Sequence, residues 1–324
     1  MIARRAAEFD VIYIHRFQTA TGLPALIRQH APNARILLNC ADLHFLRQLR
    51  EARLRQSDEL FRAAVDTRAE ELAVFEQVDA VLTYSEVEKA VIESQLGLKA
   101  QVLILPFVAG DAPPPTPLDE REHIGFIGSY DHPPNRDAVE WFIRECWPLL
   151  SDAFPDLRFR IAGSGFDKLD LIKDDDRIDV LGWVPDARVF TGSCRVMVAP
   201  LRVGAGVKGK VVDALASGTP NVLSAVAAEG LGLEERVSAT VADTPADWLE
   251  EVSRLLSDDE AWEAMSLAGL EHVRLRHSFE AGRRRFREVL ESAGLPLDPS
   301  PEPGAGALAP VVSYDVLSRM ATGV

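Results

Sequence analysis

The sequence predicts an α/β protein made of two parallel-sheet domains, and three observations carry that expectation. Short apolar runs of strand length alternate with helical stretches from Asp10 onward, and strands alternating with helices imply a parallel sheet. The segment Pro106 to Pro117, with Pro113-Pro114-Pro115 at its middle, can continue neither helix nor sheet and divides the alternation in two. A chain of 324 residues, 47% hydrophobic and 26% charged, is long and apolar enough for two cores. The expected boundaries are a first domain over residues 1–108, a linker over 109–121, a second domain over 122–293 and a tail over 294–324.

In chain order, Asp10 to His15 reads as a buried strand, Gly22 to His30 as a short helix and Arg35 to Asn39 as the next strand. Leu43 to Glu76 holds neither proline nor glycine and reads as one long, charged helical region. A strand over Ala80 to Tyr84 leads to a helix capped by Ser85, with Glu88 three residues on as the partner of a capping box. Gln101 to Leu105 closes the first unit. The second unit restarts with a strand over His123 to Ile127, the loop Gly128 to Asn135 and a helix to Leu150. Further strands follow over Arg158 to Ala162, ending in Gly163-Ser164-Gly165, and over Ile178 to Leu181, ending in Gly182-Trp183-Val184-Pro185. Helices run from Trp248 to about Ala293. The tail is rich in Pro, Gly and Ala and is expected to be disordered, with a short helix over Tyr314 to Met320.

Fifty acidic against 35 basic residues give a net charge of −15, which excludes general binding to nucleic acid or to an anionic membrane surface. Cys40, Cys146 and Cys194 lie far apart in apolar contexts and fit buried thiols in a reducing compartment. No apolar run approaches the 18 or so residues of a membrane span, and the N-terminus is too short and too soon acidic for a signal peptide, so a cytoplasmic location is expected.

The stretch Cys194 to Leu231 carries the chemistry. A strand ending at Ala199 is followed by Gly204-Ala205-Gly206 and then by a helix expected over Val207 to Ala216, ended by Gly218 and Pro220. A glycine-walled loop against a helix N-terminus offers unpaired N–H groups and a positive dipole end to an anion. Lys208 and Lys210 stand in the first turns, where the dipole disfavours cations, and Gly209 costs about 1 kcal/mol against Ala in a helix interior. A bound phosphate would explain both. Gly204, Gly206 and Gly209 also spell G-x-G-x-x-G, but Pro200 to Val203 separates them from the strand, and Ser224 stands where an acidic ribose ligand is required.

The motifs I-G-F-I-G-S-Y-D-H-P-P-N (Ile124 to Asn135), L-G-W-V-P-D (Leu181 to Asp186) and A-P-L-R-V-G-A-G-V-K-G-K-V-V-D-A-L-A-S-G-T-P (Ala199 to Pro220) resemble the retaining GT-B glycosyltransferases of family four. A-D-L-H-F-L-R (Ala41 to Arg47) and A-V-L-T-Y-S-E add a similarity to the later half of that family's acceptor domain. The resemblance implies two Rossmann-like βαβ domains, the first truncated. It implies a nucleotide diphosphate sugar as donor substrate, no cofactor and no metal, and a saccharide or other hydroxyl acceptor. Carried over by motif, Gly128 and Ser129, with Gly163, Gly204, Gly206 and Val207, line the donor site. Lys208 and Lys210 meet the diphosphate, Trp183 and Val184 read the base, and Asp213 holds the ribose. His44 is placed to face sugar or acceptor, and Asp131 and His132 flank the diphosphate loop. The chemistry implied is stabilisation of a departing diphosphate by fixed cations and a helix N-terminus.

Two departures from that family stand out. Of its two glutamates, the second falls on Asp213 and the first on Ala205. Only about 110 residues precede the donor domain, which leaves three readings: a coding start further upstream, a partner chain supplying the missing part, or impaired acceptor use. A sugar-nucleotide epimerase and a non-catalytic nucleotide-sugar-binding subunit stay open as alternatives. Asp174-Asp175-Asp176 reads as a solvated turn rather than a metal site.

Overall fold

The computed structural model describes residues 5–295 apart from residues 96, 98 and 111–113, so the tail from residue 296, with the helix expected over Tyr314 to Met320, lies outside it. The first sheet comprises β1 (Val11–His15), β2 (Arg35–Asn39), β3 (Ala80–Thr83) and β4 (Gln101–Ile104), all parallel and in the order β1-β2-β3-β4. Its helices are α1 (Phe17–Ala20), α2 (Leu23–His30), α3 (His44–Arg55), α4 (Asp58–Phe75) and α5 (Glu86–Glu93). Right-handed crossovers between strands in sequential order place every connecting helix on one face. Alternation along the strands shows this directly. Ile14, Ile36, Leu38, Val81 and Val102 pack with Ile27, Phe45, Phe75 and Ile92. Leu37, Ala80 and Leu82 point the other way.

That second face is covered from the far end of the chain. The last helix, Phe279–Ser292, crosses back and buries Val289 against Leu37, Ala80 and Leu82. The crossing is fixed where it passes the linker: His277 Nδ1 lies 2.7 Å from Phe107 O, and Ala109 N donates to His277 O at 2.8 Å.

The single helical region expected over Leu43 to Glu76 is instead a hairpin of α3 and α4. The break falls at Gln56, which adopts φ 51°, and at Ser57, whose hydroxyl accepts from Leu60 N at 3.3 Å. Neither proline nor glycine was needed, because an N-cap serine ahead of Asp58-Glu59 restarts a helix by itself.

The second sheet has six parallel strands in the order β10-β9-β8-β5-β6-β7. They are β5 (Glu122–Ile127), β6 (Phe159–Ala162), β7 (Ile178–Gly182), β8 (Cys194–Ala199), β9 (Asn221–Leu223) and β10 (Thr240–Val241). The helices are α6 (Pro133–Trp141), α7 (Trp147–Ala153), α8 (Ala187–Ser193), α9 (Gly209–Ala216), α10 (Ala225–Ala228), α11 (Pro245–Ser257), α12 (Asp259–Arg276) and α13, the returning helix. Between α6 and α7 the backbone widens into a π turn over Phe142–Cys146, ahead of Pro148, which cannot donate to the helix ladder. The large core is built on Phe126, Phe142, Phe159, Phe166 and Trp248, all fully buried. Among the described residues no helix is long and apolar enough to cross a membrane.

Candidate functional site

The strand order of the second sheet reverses between β5 and β8, so the loops leaving their carboxyl ends diverge and open a crevice between them. The loop after β5 starts at Gly128. A Cβ there would come within 2.5 Å of Asn135 Nδ2 and 2.9 Å of Lys210 Nζ, so only glycine lets both side chains reach under the loop. Asn135 Nδ2 donates to Ser129 O at 3.0 Å, and Asn135 Oδ1 accepts from Lys210 Nζ at 2.6 Å. Gly163, at φ 124°, supports this loop from below; its Cβ would stand 1.7 Å from Gly128 O.

The loop after β8 carries the lysines. Lys208 is 9% exposed and donates to Ala205 O and Gly206 O of its own loop. Lys210 runs back into the sheet, its ammonium 4.3 Å from the centre of the Phe126 ring. Burial pulls Lys208 down to about 8 and Lys210 to about 7, the latter further lowered by Lys208. The helix begins at Gly209, two residues later than expected, with Lys208 as its N-cap. Gly209 therefore sits in the first turn, and its lack of a side chain has a packing cause: a Cβ would come within 2.8 Å of the Phe107 ring. The anion invoked in the sequence reading is not needed to explain this glycine.

The first domain closes over the crevice at three points. Gly206, at φ 70°, lies against Ala41 and Asp42; Gly230 lies against Ser85. Arg50 donates to Gly204 O at 2.6 Å and to both oxygens of Glu229 at 2.8 and 2.7 Å. Ala41 has φ 62°, a conformation that costs a non-glycine residue roughly 1–2 kcal/mol. Asn39 Oδ1 holds it by accepting from Ala41 N at 2.8 Å.

Two buried carboxylates cap the N-terminus of α3. Glu71 accepts from the N–H groups of His44 and Phe45 at 3.0 Å each, and Glu88 accepts from Leu43 N at 2.9 Å and from the Thr83 hydroxyl at 2.8 Å. The capping box expected at Ser85 is thus only half formed. Ser85 accepts from Glu88 N, while the Glu88 carboxylate turns to the other helix and burial raises its pKa. His44 is held beside Glu71, Nδ1 to Oε1 3.3 Å, with its ring edge-on to Phe17.

Of the remaining candidates, His132 ends the loop after β5 as the N-cap residue of α6, its pKa lowered by burial and then by Arg47 and Lys210. Asp131 points outward to Lys168 at 3.6 Å. Trp183, 74% exposed, and half-buried Val184 follow β7. Asp213 is half-buried on α9. Burial raises its pKa, and the charges of Arg188 and Asp186, just beyond that same loop, act on it. The aspartate triplet lies at the opposite end of the sheet: Asp175 pairs with Arg177 at 2.9 Å and accepts from Trp147 Nε1 at 2.9 Å. Sequence reasoning overlooked Asp42, Arg47, Arg50 and Asn135. The motifs containing Asp42, Arg47 and Asn135 had been singled out, but only contact between loops distinguishes those residues from their neighbours.

Residues 121–258 match the family model of glycosyl transferases group 1. A 44.6 kDa protein in the cps region of Klebsiella pneumoniae is 25% identical over 128 residues, 36% of this chain and 33% of that relative, so the match spans about a third of the relative's length. Sucrose-phosphate synthase from Thermosynechococcus elongatus superposes with a TM-score of 0.70 at 18% identity, over 90% of this chain and 75% of its own. Anabaena HepE in complex with UDP and glucose gives 0.69 at 14%, over 90% and 80%. S. aureus TarM, in a complex that includes UDP, gives 0.69 at 12%, over 86% and 55%. These likenesses establish the fold. The chain therefore has the two-domain GT-B fold, and its second domain carries the match to the group 1 glycosyl transferases.

Proposed function

We propose that this chain transfers a sugar from a nucleotide diphosphate sugar to a hydroxyl acceptor, with retention at the anomeric carbon and without a metal. The observation that carries the reading is that the loops after β5 and β8 bring Gly128, Gly206, Lys208, Lys210 and the N-terminus of α9 together at the carboxyl ends of adjacent strands. Breaking the anomeric C–O bond leaves negative charge on the diphosphate; fixed ammonium groups and an oriented helix end counter it without reorganisation. Buried lysines are costly to keep, and a bound dianion is what makes two of them useful. Retention requires the acceptor hydroxyl on the same face as the departing phosphate oxygen, which then takes the proton; the first domain's loops stand on that side of the crevice.

HepE and TarM were crystallised with UDP, which makes uridine diphosphate the first nucleotide to test. A role in polysaccharide or glycoconjugate assembly is part of the same proposal. The test is titration calorimetry with UDP in excess chelator, followed by product analysis with UDP-sugars. Binding together with sugar transfer or donor hydrolysis is expected. Epimerised nucleotide sugar as product would select the epimerase, and binding without any turnover a non-catalytic subunit.

Asp213 holds the donor's ribose in this reading. It lies three residues after Lys210 and four after Gly209, so it shares their helix face one turn further in, close to the loop that carries Trp183 and Val184. Asp213→Asn is expected to weaken UDP binding by about 1 to 2 kcal/mol by exchanging charge-assisted bonds for neutral ones. The same variant should narrow the preference for UDP over its 2′-deoxy analogue. An unchanged preference in both Asp213→Asn and Asp213→Ala would remove the ribose assignment.

A further inference from the structure

The loop between β2 and α3 meets the lysine loop at one residue. Asp42 N donates to Cys40 O at 2.8 Å while Asn39 Oδ1 holds Ala41 N, and the resulting curl turns Asp42 toward the second domain. Gly206 receives it there: a Cβ on Gly206 would be 2.9 Å from Asp42 Cβ and 2.9 Å from Ala41 O. Within its own domain the carboxylate is engaged through one oxygen, Oδ2, which accepts from Arg47 Nε. Oδ2 lies 3.2 Å from Arg47 Nε and Oδ1 only 3.9 Å from His44 Nδ1, and the side chain keeps 24% of its surface exposed. Its charge acts on Lys208 and on His132, one on each loop of the crevice.

A carboxylate beside a diphosphate site is a repulsive arrangement unless it addresses another part of the ligand. The lysine loop itself brings cations and no acid, since residue 205 is alanine. Sugar hydroxyls donate to carboxylates, and the anomeric carbon gains positive charge as its bond to phosphate breaks. We infer that Asp42 reaches across the domain interface to hold the hydroxyls of the donor's sugar and to counter the positive charge developing at its anomeric carbon. The inference rests on the donor-site reading above and assigns a contact to the first domain that the sequence had given only to His44.

The experiment compares calorimetric binding of UDP with that of UDP-glucose, UDP-galactose and UDP-N-acetylglucosamine, in chelator, for the parent chain, Asp42→Asn and Asp42→Glu. Asp42→Asn is expected to bind UDP within about twofold of the parent, yet to lose about tenfold on the sugar nucleotide that the parent prefers. Its donor turnover should fall about a hundredfold, as expected for loss of one charge-stabilising group. Asp42→Glu should regain part of both. Equal losses for UDP and the sugar nucleotide would mean that Asp42 only shapes the loop, and would overturn the inference. So would unchanged discrimination and turnover in Asp42→Asn. A parent chain that binds neither UDP nor any of the three sugar nucleotides would overturn the donor-site reading, and this inference with it.

Discussion

Replacing Lys210 by Met is expected to weaken UDP binding by about 10- to 100-fold, the worth of a charged hydrogen bond to phosphate, while leaving the melting temperature of the free protein unchanged or raised. The two effects separate because the ammonium is buried above Phe126 with one hydrogen bond, to Asn135 Oδ1, and a second cation nearby. Burial disfavours its charged form and holds its pKa at about 7, against about 10.5 in the unfolded chain. Between those values the unfolded chain binds more protons than the folded one, so the free protein's stability rises with pH over that window. Met removes this penalty and keeps an apolar side chain of similar length. Bound diphosphate works in the opposite direction, favouring the ammonium of Lys210 and of Lys208, whose free value is about 8. Binding therefore takes up protons near pH 8, and affinity declines as pH rises through 7 to 8. Calorimetry at pH 8 in buffers of different ionisation enthalpy measures that uptake. A Lys210→Met protein that binds UDP like the parent, with no change in proton uptake, would place the diphosphate elsewhere.

Gly163→Ala is expected to cost about 3 to 5 kcal/mol, combining backbone strain at positive φ with an overpacked contact. Its Cβ would lie 1.7 Å from Gly128 O, at φ 124°, where L side chains are rarely found. The carbonyl it strikes belongs to the loop that Asn135 and Lys210 hold from beneath, so relief of the clash moves the crevice wall and UDP affinity falls with stability. Gly182→Ala is the control. Gly182 also has positive φ, 67°, but nothing lies within 4 Å of its would-be Cβ, so only strain of about 1 kcal/mol is expected. Thermal unfolding of the two variants decides the matter; equal losses would mean that the contact with Gly128 carries no cost.

Much of this molecule is legible in its residues, because the features concerned depend on near neighbours. A short apolar run placed β2 at Arg35–Asn39 without error, and serine ahead of acidic residues marked the start of α5. The glycine-lysine segment after β8 is where local chemistry alone points to the anion site proposed above. Other features required contacts between residues far apart in sequence. Gly209 looked like a residue spared for a ligand, but the ring of Phe107, just ahead of the linker, occupies the space. Glu88 looked like half of a capping box, yet its carboxylate caps α3, 45 positions back at Leu43. Asp42 and His44 are two residues apart in one motif, and the sequence favoured the histidine. The fold sets His44 against Glu71 and Phe17 and turns Asp42 onto Gly206. Local sequence determines periodicity, caps and turns, since these are settled within a few residues of chain. Which side chains meet across the interface is decided by closure of one domain on the other, where the missing Cβ of Gly206 makes room for Asp42 while His44 packs against Glu71 and Phe17.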